Sequence, residues 1–262
     1  MTDFDTLRLE RAGDVATLTL CRPELLNRVD QLAHRELMLA FRELQEMSGL
    51  RAVLFAAEGR VFSAGGDFDF MRQANADLKV RVEMIQEAQQ VVQALLDVSP
   101  PIVVALHGDA IGLGATLVLA ADAVVTHAAV RIADPHVAIG LVAGDGGCLV
   151  WPQAIGMMRA KRHLLTGDPI TGDDAHRAGL VSDLVERDAV ADAARALAER
   201  LAALPPLAVQ GTKRALNEVL RHRFAEVMPI SLAHELTSLG SDDLREAIAA
   251  FKERRTPTYA GR

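Results

Sequence analysis

The chain of 262 residues contains few aromatic side chains and few cysteines. Aromatic residues make up 4% of it, with one Trp and one Tyr, so its hydrophobic half must pack mainly through Ala, Val, Leu and Ile. The two cysteines, Cys21 and Cys148, exclude a disulfide framework and are typical of a protein in a reducing cytosol. We therefore expect a cytoplasmic protein with an aliphatic core.

Long hydrophobic runs and an excess of positive charge are missing too. The longest apolar stretch, residues 110–121, has about 12 residues, whereas a bilayer span takes about 20. The first residues show no basic segment followed by an apolar run, so no signal peptide is expected. The net charge of −7 argues against a nucleic-acid surface. We expect neither a membrane nor a nucleic acid among the partners.

Several catalytic and cofactor motifs are absent. Ser63 lacks the G-x-S-x-G context of a nucleophile elbow, because residue 61 is Val. There is no H-E-x-x-H and no cysteine pair, so no metal site is predicted. A glycine-rich segment ends at Gly114, but the third glycine of a dinucleotide loop does not follow. These absences disfavour a serine hydrolase of that type, a metalloenzyme and a dinucleotide-dependent enzyme.

The patterns of strand and helix alternate up to about residue 190, and helices alone follow. The sequence predicts a hairpin over 7–20, strands over 51–56, 102–106, 124–126, 130–132 and 180–185, and helices over 30–47, 77–98, 113–121 and 157–165. The helical C-terminal part is predicted to break at Pro205–Pro206, Pro229 and Gly240. This order indicates an α/β body with a helical C-terminal appendage.

Two turns of small residues, 61–67 and 107–114, each follow a predicted strand and precede a predicted helix. Gly65 and Gly66 permit backbone angles that other residues resist. Taken alone, each turn is also typical of an ordinary tight connection. Two such turns that face each other, however, can hold one oxygen between two backbone N–H donors, and this arrangement stabilises an oxyanion. The pair therefore indicates chemistry on a carbonyl group.

The sequence resembles the enoyl-CoA hydratase/isomerase (crotonase) superfamily over nearly its whole length. The motifs that carry the resemblance occur in the family's order: Phe62–Asp67, Ala105–Gly114, Asp122, Ala133–His136 with Gly140–Leu141, 165–181, and Phe251–Pro257. The resemblance implies an α/β spiral of β-β-α turns over residues 1–195 and a C-terminal helical trimerisation region over 196–262. It also implies a homotrimer or a dimer of such trimers.

The resemblance also implies where an acyl-CoA substrate would bind. The backbone N–H groups of Gly66 and Leu113 would hold the thioester oxygen as it becomes an enolate, and Ala64 would lie near the adenine. Coenzyme A would be part of the substrate, with no permanently bound cofactor. The basic side chains expected to approach the nucleotide or its phosphates are Arg28, Lys252 and Arg254, each of which could equally be a solvated surface charge.

The two glutamates that position water in the family's hydratases are absent from this sequence. Thr116 stands at the first position and His136 at the second. His136 titrates near neutrality and is a candidate acid or base, with a buried structural histidine as the alternative. Asp145, between glycines at a predicted helix start, is the other candidate, with a helix cap as its alternative role. Burial would raise its pKa, which suits a base.

We therefore expect acyl-CoA chemistry through a thioester enolate, within the hydratase/isomerase class. An isomerase needs one base that moves a proton, so it tolerates the loss of the glutamate pair better than a standard hydratase. The alternatives are an acyl-CoA hydrolase, a decarboxylase and a non-catalytic CoA-binding protein.

Overall fold

In the computed structural model, which describes residues 2–262, nine strands form two sheets. The strands are β1 (Leu7–Ala12), β2 (Val15–Leu20), β3 (Ala52–Ala57), β4 (Ile102–Leu106), β5 (Ala110–Ile111), β6 (Ala123–Thr126), β7 (Arg131–Ala133), β8 (Ile170–Thr171) and β9 (Asp183–Leu184). The helices are α1 (Gln31–Glu46), α2 (Phe68–Ala76), α3 (Leu78–Asp97), α4 (Leu113–Leu119), α5 (Gly147–Ile155), α6 (Met157–Thr166), α7 (Gly172–Ala178), α8 (Val190–Ala203), α9 (Pro206–Leu239) and α10 (Asp242–Glu253).

The larger sheet has the strand order β1-β2-β3-β4-β6-β9, and the smaller one the order β5-β7-β8. Only the β1–β2 pair is antiparallel in the larger sheet. Consecutive strands alternate between the sheets, because β4 and β6 join the larger sheet while β5 and β7 join the smaller one. Helices follow each such pair of strands. The chain thus winds in β-β-α turns, and the predicted α/β spiral is confirmed.

The strand β4 shows why the middle of the larger sheet reads as a continuous apolar run. All five of its residues are buried. Its even-numbered residues pack into the main core between the sheet and helices α1, α3 and α4, while Val103 and Ala105 pack against α8. A parallel strand covered on both faces has no solvent face to mark with polar residues. Because β4 is held on both faces, its last residue, Leu106, fixes the position at which the turn 107–114 begins.

Acidic side chains start the helices, as the sequence indicated. The carboxylate of Asp30 accepts from the backbone N–H of Ala33 at the start of α1. Asp67 does the same for Phe70 in α2 and Asp77 for Lys79 in α3. A cap of this kind satisfies a backbone donor that the helix itself cannot pair. The predicted helices over 30–47 and 77–98 are confirmed.

Three details of the C-terminal half differ from the prediction. Pro229 does not break α9, because Met228 and Leu232 on either side of it are buried in the core and hold the helix together despite one missing N–H donor. The strand expected over 180–185 shortens to β9, which pairs with β6 through two residues only. The segment after β7, for which no helix was predicted, contains a short 3₁₀ turn, His136–Ile139.

The C-terminal helices pack directly on the rest of the chain. Residue 195, where the spiral core was expected to end, lies inside α8, and α8 covers one face of the larger sheet. A separate C-terminal unit over 196–262 stays a prediction, as does its role in trimerisation. Among the described residues, no helix combines the length and the apolar character that crossing a bilayer requires.

Candidate active site

The turns 61–67 and 107–114 face each other and are joined by their backbones. Ile111 N–H donates to the carbonyl of Ser63 at 3.0 Å, and Phe62 N–H donates to that of Asp109 at 3.0 Å. Gly65 has a φ of +83°, and a Cβ on it would lie 2.7 Å from the Ile111 carbonyl oxygen. Only glycine therefore fits at this contact. The facing turns that the sequence predicted are present.

The two expected donors are free to bind an oxygen. No protein atom in the described part of the chain accepts a hydrogen bond from the N–H of Gly66 or of Leu113. Leu113 opens α4, so its N–H has no partner within the helix. Both residues line one narrow inner cavity, which His136 and Asp145 also line. The structure thus brings together the four residues that were expected to carry the chemistry.

His136 lies between two carboxylates. Its Nδ1 hydrogen-bonds to Asp134 Oδ1, and its Nε2 lies 3.6 Å from Asp145 Oδ2. All three side chains are buried, and the second oxygens of both aspartates have no hydrogen-bond partner in the protein. The imidazole is therefore hydrogen-bonded to a side chain. In the alternative role, that of a buried structural histidine, it would be hydrogen-bonded to the backbone. Asp145 is not a helix cap either, because Gly146 holds that position of α5 and no side chain caps it.

The charges in this cluster shift one another's ionisation. Burial opposes a charge on His136, but the carboxylates of Asp134 and Asp145 outweigh it and raise the pKa of His136 well above its usual value. Burial raises the pKa of Asp145 to about 6, with Asp134 adding to the rise and His136 opposing it. Near neutrality His136 is therefore an imidazolium, and Asp145 is close to its titration range.

A fourth ionisable group, Glu235 on α9, was not expected from the sequence. It is 5% exposed, lines the same inner cavity, and its Oε2 has no hydrogen-bond partner in the protein. Burial, followed by the charge of Asp145, raises the pKa of Glu235 well above its usual value. A Cβ on Gly144 would lie 2.5 Å from Glu235 Oε2, so α9 packs directly on the peptide before Asp145.

The sequence could have offered only one weak sign of Glu235. Gly144 precedes Asp145, and its lack of a side chain is what lets α9 approach. The Ser231 hydroxyl donates to the Gly144 carbonyl at 3.1 Å and fixes that contact. A glutamate inside a long helical pattern is ordinarily a solvent-facing residue. Its position in the site depends on a tertiary contact across about 90 residues of chain, which no local pattern records.

The side chains of Ser63 and Asp109, in the two turns, are engaged in other contacts. The Ser63 hydroxyl is buried and donates to the Asn27 carbonyl at 2.8 Å. Asp109 pairs with Arg131 and ties the second turn to β7. Thr116 is buried beneath the Asp145 loop, where a Cβ on Gly146 would collide with its methyl group. Burial raises the pKa of the Cys148 thiol to about 11, so this cysteine is a thiol and not a thiolate near neutrality.

A larger outer pocket of about 430 Å³ adjoins the inner cavity, and Gly66, Met71 and His136 line both. The expected ligand residues Ala64 and Arg28 line the outer pocket. Arg28 Nε lies 2.6 Å from Asp67 Oδ2, which holds the guanidinium at the pocket wall.

Lys252 and Arg254 do not line this pocket. The ammonium group of Lys252 is 3.9 Å from Asp69, and Arg254 ends α10 on the surface. The structure of one subunit thus groups Arg28 with Ala64 and leaves both C-terminal cations apart from them.

The Asp134–His136–Asp145 cluster also has to be considered as a metal site. One potential ligand atom from each residue lies within 4.8 Å of the others. The two aspartates, however, face opposite nitrogens of the imidazole ring, since one contacts Nδ1 and the other faces Nε2. Such an order is a hydrogen-bonded chain and does not point three ligands at one centre. The absence of a metal stays a prediction.

Comparisons with known proteins agree with this architecture. A model of the enoyl-CoA hydratase/isomerase family matches residues 10–262. An (E)-benzylidenesuccinyl-CoA hydratase from Thauera aromatica is 32% identical, over 97% of this chain and 98% of its own. The crystal structure of an enoyl-CoA hydratase/isomerase from Mycobacterium paratuberculosis is 34% identical, with a TM-score of 0.91 over 95% of this chain and 99% of that one.

A third similar protein has a different activity. It is ABDH, a β-diketone hydrolase from the cyanobacterium Anabaena sp. PCC 7120, whose structure was solved with (S)-3-oxocyclohexyl acetic acid. It is 25% identical, with a TM-score of 0.85 over 92% of this chain and 96% of that one. The family match over almost the whole chain, together with the two relatives above 30% identity, shows that the protein belongs to the enoyl-CoA hydratase/isomerase family.

Proposed function

We propose that this protein acts on an acyl-CoA by stabilising a thioester enolate between the backbone N–H groups of Gly66 and Leu113. The observation that carries the proposal is that both residues, whose N–H groups have no acceptor, line one cavity with an acid and a base. Fixed backbone dipoles need no reorganisation when negative charge develops on the oxygen, and this makes them effective in a site without bulk water.

Asp145 and His136 have different parts in the proposed reaction. Asp145 is ionised above a pKa of about 6 and removes a proton from the carbon next to the thioester carbonyl. The electron pair moves into the enolate, whose oxygen the two N–H groups hold. Asp145 then returns the proton to a different carbon, which completes an isomerisation without any co-reactant. The His136 imidazolium, held by Asp134, supplies positive charge beside the enolate and can deliver a proton.

Water addition is possible with the same groups in other roles. Asp145 takes a proton from water as the hydroxide adds to the β-carbon of an enoyl thioester. His136 then gives a proton to the α-carbon, and the proton held by Asp145 passes to His136, so that both groups return to their starting states. The reaction thus resembles that of a standard hydratase, but the acid is an imidazolium and the base an aspartate, in place of the two glutamates that the resemblance leads one to expect.

The outer pocket is the proposed binding place of coenzyme A. Ala64 and Arg28 line it, and Arg28 is held in place by Asp67. Lys252 and Arg254 do not line it, although Phe251 does, and we propose that they reach CoA phosphates across a subunit boundary of the homotrimer or dimer of trimers. Cys21 and Cys148 are not bonded to each other, which fits the cytoplasmic location that we propose.

Hydrolysis is the second candidate function. It is favoured by the buried Asp145 carboxylate, which can activate water, and by the likeness to a β-diketone hydrolase. In this reaction the oxygen of an activated water attacks a carbonyl, and the same pair of N–H groups would hold the resulting oxyanion. An acyl-CoA hydrolase would release a free thiol, which an isomerase or a hydratase does not.

A panel of acyl-CoAs, followed by mass spectrometry and by the ultraviolet absorbance of the conjugated thioester, tests the proposal. Isomerisation changes the absorbance without a mass change, hydration adds the mass of water, and decarboxylation removes that of CO₂. A thiol reagent detects hydrolysis of the thioester. Binding of acyl-CoA without any turnover across the panel, unaltered in Asp145→Ala, would identify a non-catalytic CoA-binding protein and refute the proposal.

A further inference from the structure

Apart from Asp67, which pairs with Arg28, Glu235 is the one carboxyl group lining the inner cavity that the proposed reaction does not use. It comes from α9, and it shares the lining of the cavity with apolar side chains. These apolar side chains, which could contact an acyl chain, include Phe70, Met84, Leu141 and Leu239. A carboxyl group with a free oxygen among such neighbours is costly to bury unless something binds it.

The chemistry of this carboxyl group restricts what can bind it. Burial and the negative charge of Asp145 raise the pKa of Glu235 well above its usual value, which favours the protonated form. A protonated carboxyl donates one hydrogen bond through its O–H. No protein group hydrogen-bonds to Oε2 in the described part of the chain, and Glu235 lines the inner cavity, so a ligand in that cavity can take up this hydrogen bond.

We propose that Glu235 is a specificity-determining residue that donates a hydrogen bond to an oxygen on the acyl group, so that the substrates are acyl-CoAs with a carbonyl or hydroxyl oxygen beyond the thioester. The inference rests on the proposed function, because it takes the inner cavity as the acyl site. An unsubstituted alkyl chain would fill the same space but leave the carboxyl without a partner.

The charges of the Asp134–His136–Asp145 cluster restrict the expected class of acyl-CoA substrate further. Asp134 and Asp145 both face the single imidazole of His136, so acidic groups outnumber basic ones around this part of the cavity. An acyl group ending in a carboxylate would add like charge in a buried place. The oxygen that Glu235 binds is therefore a neutral one. Sites built to pair a buried polar group discriminate strongly against analogues that lack the matching atom.

The test compares acyl-CoAs of equal chain length by equilibrium calorimetry. The pairs are butyryl-CoA against acetoacetyl-CoA, and pentanoyl-CoA against 4-oxopentanoyl-CoA, with succinyl-CoA as the anionic probe. The wild-type protein is expected to bind at least one oxo-acyl member at least about fivefold more tightly than its alkyl partner, the lower end for pairing a buried donor. Succinyl-CoA is expected to bind more weakly than the favoured oxo-acyl probe.

Two substitutions and a matched control assign the preference to Glu235. Glu235→Leu removes the donor at similar size and should abolish the preference, with alkyl-CoA binding unchanged or tighter. Glu235→Gln keeps an N–H donor and should retain most of the preference. Glu226→Leu makes the same change at an exposed position of the same helix and should leave the preference as in the wild type.

The results distinguish an error in the role of Glu235 from an error in the proposed function. Equal binding of oxo-acyl and alkyl partners by the wild-type protein would overturn the role of Glu235, while acyl-CoA binding itself would stand. A preference that survives Glu235→Leu would overturn it as well. If Glu235→Leu does not fold, Glu235→Met removes the same donor with a more flexible side chain, and survival of the preference in that variant would overturn the role. Failure of every acyl-CoA to bind would overturn the proposed function together with the inference.

Discussion

Replacing Asp145 by asparagine removes the proposed base with almost no change in shape. The side chain lies in the inner cavity and does not line the outer pocket, so CoA binding should persist. Loss of a general base lowers turnover by about 100-fold or more, or at least about 2.7 kcal/mol of transition-state stabilisation. We therefore expect kcat to fall by at least about 100-fold in Asp145→Asn, with little change in the affinity for CoA.

The pH dependence gives an independent measure of the same group. With a pKa of about 6, Asp145 is ionised in about nine-tenths of molecules at pH 7 and about one-tenth at pH 5. The wild-type kcat/KM should therefore fall about tenfold between these pH values through the base alone. In Asp145→Asn this acid limb should disappear. Because His136 titrates in the same cluster, the limb belongs to the pair and not strictly to one residue.

Stability separates a catalytic effect from a folding defect. The folded-state pKa of Asp145 is raised above its ordinary 3.8, so its contribution to stability is present in full below about pH 3.8 and is lost as the pH rises through about 6. A rise to about 6 corresponds to a cost of up to about 3 kcal/mol in the ionised form. Asp145→Asn avoids that cost, and at pH 8 its Tm should be no lower than that of the wild type.

Asp168→Asn is the matched control, because Asp168 pairs with Arg162 on the surface and lines neither the inner cavity nor the outer pocket. It should retain wild-type turnover and its pH profile. Wild-type turnover in Asp145→Asn on the true substrate would refute the assignment of the base. A large loss of activity accompanied by a lower Tm would also contradict the reasoning, since removal of this buried charge is expected not to destabilise the fold.

Three further outcomes follow from the site. Asp134→Asn removes a negative charge that raises the pKa of both His136 and Asp145, so both limbs of the pH–rate profile should move to lower pH; a merely structural role would lower activity without moving them. Gly65→Ala places a Cβ 2.7 Å from the Ile111 carbonyl at a φ of +83°, and should lower kcat by about 10-fold or more with binding of CoA retained, as rate assays and calorimetry can show. Dialysis against a chelator should leave activity unchanged, because the aspartates face opposite nitrogens of His136; a loss that zinc restores would reveal a metal site.

The parts of the site that the sequence predicts are those built from local backbone geometry. Gly65 and Leu113 belong to turns whose strand-before and helix-after order is visible in the pattern of small and apolar residues. Asp30 and Asp67 cap helices through contacts three residues away, and such short-range signals survive in a linear sequence. The turns and their neighbouring helices could therefore be placed before the fold was known.

The parts that the sequence does not predict depend on distant packing. Pro229 reads as a helix break, yet burial of its neighbours on both sides keeps α9 continuous. Glu235 looks like a surface residue of the same helix, and only the approach of α9 to Gly144 brings it to the cavity. Asp134 lies beside His136 in the sequence, but its hydrogen bond to the ring depends on how the 3₁₀ turn after β7 orients the imidazole.

Because the two proposed oxyanion donors, Gly66 and Leu113, act through their backbone N–H groups, the protein can be redesigned around them. Every amino acid except proline supplies a peptide N–H, so the donor at Leu113 does not depend on the identity of its side chain. The residues that hold the two turns together, such as Gly65 against Ile111, are different from those that supply the acid and the base. New reactions can therefore be sought by varying positions 116, 136, 145 and 235 alone, while the two N–H donors to the carbonyl oxygen stay unchanged.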